Sequence, residues 1–340
     1  MEDKNNTFDP VEKENALQAE SRSWDTSQVV PAQSGDIPVI DVSKYFDSGS
    51  EEALEEVAVQ LGDASRHVGF YSLVGHAVSD EVVDDAFEQT RRFHALPLQS
   101  KEALLMDQPA LSIKGAGYLP IKNRKLPHRA MGNDNEAFIV KRDRDIALSD
   151  NPWPDENQLP GFRSSVEEYV AQLEALALRL LPIYARALKM DKKFFTPAFT
   201  APFIRLRMSH YPVTPRSDDE QFGIAPHVDT TFFTLLTQDS PGLCAFSERR
   251  RRWISVPMIE GAFIVNTGEL LKHWSNDEFI SAKHFANNNF GNISRYSIPF
   301  FFNASTDHKM TCIPSCCGPD RPAKYPAISY AESQGVTQGE

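Results

Sequence analysis

The sequence predicts a mixed α+β protein, with helices in its first half and a β-sandwich or barrel in its second half. Before about residue 190, apolar residues recur at helical spacing in three stretches. After about residue 200, short strand-like runs alternate with turns. With 340 residues, of which 41% are hydrophobic, the chain is long enough to bury a substantial core.

Strands and amphipathic helices alternate in the first half. Residues 37–41 and 69–74 have the composition of short strands. Apolar residues at helical spacing predict helices near 54–64, 82–93 and 164–189, and we expect the last of these to brace the sheet.

Seven short runs predict the strands of the second half, and they are 204–211, 231–236, 243–246, 253–256, 262–266, 282–286 and 294–302. In the first run, polar side chains alternate with apolar ones, so one face of that strand is polar. A barrel with an apolar outer face and a polar lumen has this pattern.

The composition divides the chain into four regions. Residues 1–35 have few apolar residues and no periodicity, which predicts a disordered extension. Residues 36–190 form the helical and strand region, and residues 191–306 form the β core. Residues 307–340 contain prolines without clear periodicity, which indicates a C-terminal tail or a lid over the site.

Charge and hydropathy argue against two classes of partner. The formal net charge of -12 disfavours a nucleic-acid binder, which would need a basic field. The one basic run, residues 249–252, is typical of a solvated hairpin tip. No apolar run reaches the roughly 18 residues that a membrane span needs, so no membrane partner is expected.

The four cysteines do not form a disulfide framework, which favours a reducing, cytoplasmic location. Cys312, Cys316 and Cys317 could suggest a zinc site. Their spacing differs from that of paired zinc ligands, and no fourth ligand follows, so free thiols are the simpler interpretation.

Three residues near the C-terminal end indicate iron chemistry. His227, Asp229 and His284 offer two imidazoles and one carboxylate, the set that binds non-haem Fe(II) and leaves positions open. Because alternate residues of a strand share a face, His227 and Asp229 point the same way if their segment is extended. His284 must then arrive from another strand.

An anchor for an organic acid follows the third of these residues. Arg295 can bind a carboxylate through two parallel hydrogen bonds, and Ser297, on the same strand face, can add a donor. Tyr211 can donate its hydroxyl to the same group. A 2-oxo acid that chelates the iron and leaves a position for O2 would need such an anchor for its far carboxylate.

These segments resemble the isopenicillin N synthase-like branch of the Fe(II)/2-oxoglutarate-dependent dioxygenases. Matching segments run in family order from about residue 36 to residue 305. They are 37–41, 69–71, 75–76, 151–154, 211–212, 227–229, 242–243, 266–269, 281–284 and 295–297. Any one match is weak, whereas their order and spacing together are specific.

The resemblance implies a double-stranded β-helix (jelly-roll) core with a helical N-terminal region. It also implies Fe(II), 2-oxoglutarate as cosubstrate, and O2. The implied metal ligands, which are also the catalytic residues, are His227, Asp229 and His284, and the implied 2-oxoglutarate residues are Tyr211, Arg295 and Ser297. The chain departs from the family at Ser209, where many relatives carry Asn, which weakens one contact to the cosubstrate.

Four residues are candidates for the substrate pocket. Tyr118 and Phe138 occupy positions where the family often builds that pocket. Arg207 could bind an anionic group or pair structurally with an acidic residue. Phe301 shares a strand face with Arg295 and could instead be ordinary core.

The leading hypothesis is an oxygenase that couples oxidative decarboxylation of 2-oxoglutarate to hydroxylation, desaturation or cyclisation of a small molecule, such as a specialised metabolite. One alternative is an iron oxidase that uses Arg295 and Ser297 to bind its substrate's own carboxylate, without 2-oxoglutarate. Another is a catalytically inactive, ligand-binding relative. A zinc hydrolase could use the same ligands, but the sequence shows no general base beside them.

Overall fold

The computed structural model describes residues 26, 28–111, 113–122, 132–214, 221–289 and 291–334, and their strands form two sheets. The strands are β1 (Val30–Pro31), β2 (Val39–Asp41), β3 (Phe70–Val74), β4 (Gly117–Leu119), β5 (Glu136–Arg142), β6 (Phe203–Tyr211), β7 (Ile224–His227), β8 (Phe233–Gln238), β9 (Leu243–Ser247), β10 (Arg252–Ser255), β11 (Phe263–Thr267), β12 (His284–Ala286) and β13 (Arg295–Asn303). The helices are α1 (Ser43–Ser48), α2 (Glu51–His67), α3 (Asp80–His94), α4 (Leu98–Glu102), α5 (Phe162–Ala187), α6 (Glu269–Trp274) and α7 (Tyr330–Ser333).

The large sheet has the strand order β2-β3-β11-β8-β13-β6-β5-β4, and the small sheet has the order β1-β10-β9-β12-β7. Helices α2, α3 and α5 pack against the outer face of the large sheet, where apolar residues of β6 and β13 join the main core. Leu243 and Ile254 of the small sheet pack against Phe70 and Ile264 of the large sheet. The small sheet therefore covers the inner face of the large sheet at β3 and β11.

The helices begin and end where local chemistry favours it. Ser50 caps α2 by accepting a hydrogen bond from the Ala53 N–H at 3.2 Å, and Ser79 caps α3 from the Val82 N–H at 3.3 Å. The long helix α5 buries one apolar stripe against the sheet. Within the described ranges, no helix combines the length and the apolar character that crossing a membrane requires.

Residues 28–35 include a strand and so depart from the disorder predicted for residues 1–35. Strand β1 pairs in parallel with β10, and Arg249 and Arg250 both donate to the buried carboxylate of Asp36, at 2.8 and 2.6 Å. The arginine run is therefore more than a solvated turn, because two of its members hold this segment in position. Residues 1–25 and residue 27 lie outside the described residues.

Residues 307–334, the described part of the predicted tail or lid, also pack into the fold. Met310, Ile313, Cys316 and Tyr330 belong to the main hydrophobic core. The Ile313 N–H donates to the carbonyl oxygen of the last α6 residue at 3.0 Å, which fixes the segment against that helix. All four cysteines of the chain are free thiols.

Candidate active site

The three predicted metal ligands converge at one edge of the small sheet. His227 ends β7, His284 begins β12, and the two are cross-strand partners. The Asp229 Oδ1 atom lies 3.5 Å from His227 Nε2 and 3.7 Å from His284 Nε2. All three ligand atoms lie within 4.8 Å of one another, so they can bind one ion.

Backbone carbonyls orient both imidazoles. His227 Nδ1 lies 2.9 Å from the carbonyl oxygen of Ala225, and His284 Nδ1 lies 3.1 Å from that of Ala282. Because a carbonyl oxygen can only accept, each Nδ1 carries the proton and each Nε2 carries a lone pair. Both lone pairs therefore face the Asp229 carboxylate, as metal-binding histidines require.

The two oxygens of the Asp229 carboxylate have different roles: one is hydrogen-bonded within the protein, and the other faces the imidazoles. Its Oδ2 accepts hydrogen bonds from Thr234 Oγ1 at 2.7 Å and Asn266 Nδ2 at 2.8 Å, which leaves Oδ1 for an ion. Burial acts to raise its pKa, but the neighbouring histidines and the Asn266 amide hold that pKa well below its usual range. Burial and the nearby His227 lower the pKa of His284 to about 4, which keeps its imidazole neutral.

A close backbone approach fixes the loop that carries Asp229. The Glu269 N–H donates to the Asp229 carbonyl oxygen at 2.8 Å. At Gly268, a Cβ atom would lie 2.1 Å from the Thr231 carbonyl oxygen, so only glycine fits there. The loop after β7 is thereby held against the start of α6.

The predicted acid anchor lies on the inner face of the large sheet. Arg295 pairs with Tyr211 across β13 and β6, and its guanidinium lies 4.4 Å from the centre of the Tyr211 ring. The Arg295 Nε donates to the Ser240 carbonyl oxygen at 3.1 Å, and Nη2 donates to Gln238 Oε1 at 2.7 Å. Ser297 Oγ lies 3.4 Å from the Tyr211 hydroxyl.

Three buried donors at this anchor have no protein acceptor among the described residues. They are Nη1 of Arg295, Nε2 of Gln238 and the hydroxyl of Ser209, the cross-strand partner of Ser297. An unsatisfied buried donor is costly, and a carboxylate is the acceptor that a guanidinium binds best. The residues present therefore fit the distal carboxylate of 2-oxoglutarate, just as the His-Asp-His set fits Fe(II).

Two of the four predicted substrate residues share this inner face. Arg207 lies on β6 between the anchor and Arg205, and it donates to Asn135 Oδ1 at 3.2 Å. Phe301 of β13 is the cross-strand partner of Arg205 and is half-buried.

The other two predicted substrate residues, Phe138 and Tyr118, face the outer side of the large sheet. Their assignment to the substrate pocket is therefore corrected. Phe138 is the cross-strand partner of Met208, so it shares the outer, helix-facing side of the sheet. Its ring lies 4.5 Å from that of Phe93 on α3, measured between centroids. Tyr118 pairs with Phe138 and donates its hydroxyl to Glu136 Oε2 at 2.5 Å. Both are core residues because one position along a strand reverses the face.

A second cluster, formed by His94, Glu136 and His210, also brings metal-binding groups together behind the sheet. Lys101 Nζ lies 3.0 Å from Glu136 Oε2 and supplies the positive charge there. Burial acts to raise the pKa of Glu136, but hydrogen bonds from its neighbours, His210 first, hold it well below its usual range. His210 thus belongs to a largely buried ion-pair network with Glu136. A metal ion would have to displace the ammonium group.

Local sequence patterns do not reveal the residues that orient the site. Asp229 accepts hydrogen bonds from Thr234 and Asn266, and Arg295 donates one to Gln238. The sequence offers only one indication of these partners. Thr234 and Gln238 are polar residues at alternating positions of β8, on the same face.

Comparisons with known proteins identify the family. The model described as "2OG-Fe(II) oxygenase superfamily" matches residues 203–304, and "non-haem dioxygenase in morphine synthesis N-terminal" matches residues 37–158. The 2-oxoglutarate-Fe(II) type oxidoreductase hxnY of Emericella nidulans is 30% identical over 87% of this chain and 87% of its own length. Kihadalactone A synthase LFS of Citrus sinensis is 31% identical over 87% of this chain and 91% of its own length.

A solved structure supports the same conclusion. Full-length Neurospora crassa T7H, in complex with alpha-KG and thymine, superposes with a TM-score of 0.80 at 25% identity, covering 90% of this chain and 98% of that one. The chain belongs to the 2OG-Fe(II) oxygenase superfamily. It is a dioxygenase with a jelly-roll core that depends on Fe(II), 2-oxoglutarate and O2, as the sequence resemblance implied.

Proposed function

We propose that His227, Asp229 and His284 bind the Fe(II) ion of this dioxygenase. One observation carries the assignment: the free Nε2 and Oδ1 atoms face one another, while the remaining polar atom of each side chain is already hydrogen-bonded within the protein. When bound, the iron supplies the O2 chemistry that couples decarboxylation of 2-oxoglutarate to substrate oxidation.

The same proposal assigns the cosubstrate to Arg295, Ser297 and Tyr211. Arg295 is held by Gln238 and Ser240, so its remaining Nη1 is preorganised to neutralise the distal carboxylate. Ser297 and Tyr211 add hydroxyl groups beside it. Of the alternatives, an oxidase that needs no 2-oxoglutarate has no support among the relatives compared, because one relative is named for 2-oxoglutarate and the Neurospora structure contains alpha-KG.

The substrate in this proposal is a small organic molecule, such as a specialised metabolite, which is hydroxylated, desaturated or cyclised. The name of the Citrus relative and the thymine in the Neurospora structure support a small molecule. Arg207, with Asn135, offers a donor for a carbonyl or carboxylate group of that substrate, and Phe301 offers an apolar wall.

The proposal keeps the predicted regions 36–190 and 191–306, which correspond broadly to the two family-model matches. The two regions share one hydrophobic core, so we propose that they function as a unit. Four free thiols support a cytoplasmic location.

Replacing the proposed carboxylate ligand tests the metal centre. We expect Asp229→Ala to lose Fe(II) binding and succinate formation, because one ligand and the only negative charge of the set are removed. Anaerobic Fe(II) titration and succinate release measure both effects. Asp307→Ala, which removes an exposed carboxylate, is the control. Retained iron binding and turnover in Asp229→Ala would refute the assignment.

Replacing the guanidinium tests the cosubstrate anchor. We expect Arg295→Gln to raise the KM for 2-oxoglutarate by roughly tenfold to a hundredfold, the loss of one or two hydrogen bonds to a charged group. Fe(II) affinity should stay unchanged, which serves as the internal control. Turnover that needs no 2-oxoglutarate in the unmodified enzyme would favour the oxidase alternative, and no turnover with any substrate tested would favour the inactive relative.

A further inference from the structure

The end of the described chain lies against the loop that carries Asp229. Residues 310 and 328 form a two-way backbone bridge, with N–O distances of 2.9 and 3.3 Å. The Ala331 N–H donates to the Thr306 carbonyl oxygen at 3.0 Å. Ser329 and Glu332 cap α7 reciprocally, which fixes the start of this short helix.

Tyr330 is the residue of α7 that points into the protein. It is 7% exposed, and its ring lies 5.2 Å from that of Phe203 at the start of β6. Gln334, the residue that ends α7, accepts a hydrogen bond at 3.5 Å from the hydroxyl of Thr230, the residue directly after Asp229. This one-turn helix therefore reaches from Phe203 on β6 to the loop that carries Asp229.

His227 is the most exposed of the three proposed metal ligands. Its side chain is 37% exposed, whereas those of Asp229 and His284 are 7% and 9% exposed. Thr230, which follows Asp229 and contacts the end of α7 through Gln334, is exposed as well.

We propose that Tyr330 forms the outer wall of the substrate pocket and limits the size of the molecule that can reach the metal. The inference rests on the proposed metal centre. The Tyr330 ring packs on Phe203, in the helix whose end contacts the Asp229 loop, so its bulk restricts the opening beside the iron. Access of bulky ligands to the open coordination positions should therefore depend on the side chain at this position.

The test uses Co(II) as a spectroscopic substitute for iron, with 2-oxoglutarate bound, and two azole probes of different size. Imidazole and 1-benzylimidazole are titrated while the visible Co(II) spectrum reports ligation. We expect the unmodified protein to bind imidazole much more tightly than 1-benzylimidazole. In Tyr330→Ala, the ratio of the two dissociation constants should fall about tenfold, the effect of relieving roughly 1.4 kcal/mol of steric conflict.

Matched variants separate a wall from a general loss of structure. Tyr330→Phe keeps the ring and should keep the discrimination, whereas Tyr330→Trp enlarges the ring and should increase it. Tyr325→Ala is the control, because this tyrosine lies on the same segment but donates its hydroxyl to Asp277 at 2.8 Å. If Tyr330→Ala does not fold, Tyr330→Trp decides the question.

The possible results separate the role of Tyr330 from the existence of the metal centre. If the ratio of the two dissociation constants is the same in the unmodified protein, Tyr330→Ala and Tyr330→Trp, the role of Tyr330 is overturned. The proposed metal centre is unaffected by that result. The absence of discrimination in the unmodified protein would overturn it too. A failure of the unmodified protein to bind Co(II) would instead overturn the metal centre, and this inference with it.

Discussion

Asp229 shows how single atoms define this site. One carboxylate oxygen is used by Thr234 and Asn266, and the other faces two imidazoles whose own second nitrogens are hydrogen-bonded to backbone carbonyls. Every group that could turn away from the metal is held by a hydrogen bond. Preorganisation of this kind lowers the cost of ordering the ligands when the ion binds.

Thr234→Val tests this orientation, because the variant keeps the side-chain shape and removes the hydroxyl. We expect Fe(II) affinity to fall by roughly 10- to 100-fold, the usual effect of losing a partner that orients a ligand. Thr237→Val is a matched control on the same strand, where the hydroxyl contacts Tyr169 in the helix-facing core instead. Equal effects of both variants on iron affinity would contradict a specific role for Thr234.

At the scale of elements, strand alternation decides which residues reach the site. On β6 and β13, the inner positions carry Arg207, Tyr211 and Arg295, and the outer positions carry apolar residues that pack against helices. The same rule explains why Phe138 was wrongly predicted to line the substrate pocket. Phe138 pairs with Met208, so it faces the helices on the outer side of the sheet. Its own sequence surroundings, a short apolar run, do not distinguish the two faces.

The N-terminal strand depends on an ion cluster that no local pattern predicts. Burial acts to raise the pKa of Asp36, but the Gln33 N–H, Arg250 and Arg249 together lower it below its ordinary value. For a carboxyl with a depressed pKa, the stabilising contribution is complete above the ordinary pKa and is lost as the pH falls through the folded-state pKa.

We therefore expect Asp36→Asn to destabilise the protein by about 1–3 kcal/mol at neutral pH, the value of hydrogen bonds to a charged group. The difference between the two proteins should shrink as the pH falls through the acidic range. Urea unfolding at several pH values measures it. Asp47→Asn, at an exposed position of α1, is the control. A difference that does not change with pH would argue against the ionic contribution.

At the scale of the whole molecule, the C-terminal segment connects the main core with the loop that carries Asp229. The segment after β13 packs Ile313 into the main core and ends with α7 beside the metal-binding loop. The region with the least regular sequence pattern thus completes the structure around the site.

Ile313→Ala tests whether this segment is integral to the fold. Because Ile313 is 0% exposed, we expect a loss of about 2–5 kcal/mol in the free energy of unfolding, from lost burial and a cavity. Ile293→Ala is the matched control, since Ile293 is 75% exposed and should change stability little. Similar effects of the two variants in chemical unfolding would show that the segment is only loosely attached.

The sequence by itself determined the class of fold, and it predicted the residues of the proposed metal set and acid anchor. Hydrophobic periodicity is local, and His227, Asp229 and Arg295 are each recognisable from residue type and spacing. β7 was missed as a strand because it has four residues and contains a proline. Only the tertiary structure decided the orienting partners, the face of Phe138, the ion cluster at Asp36 and the position of Tyr330. These features depend on pairing register and on contacts between residues far apart in the chain, which local sequence patterns do not encode.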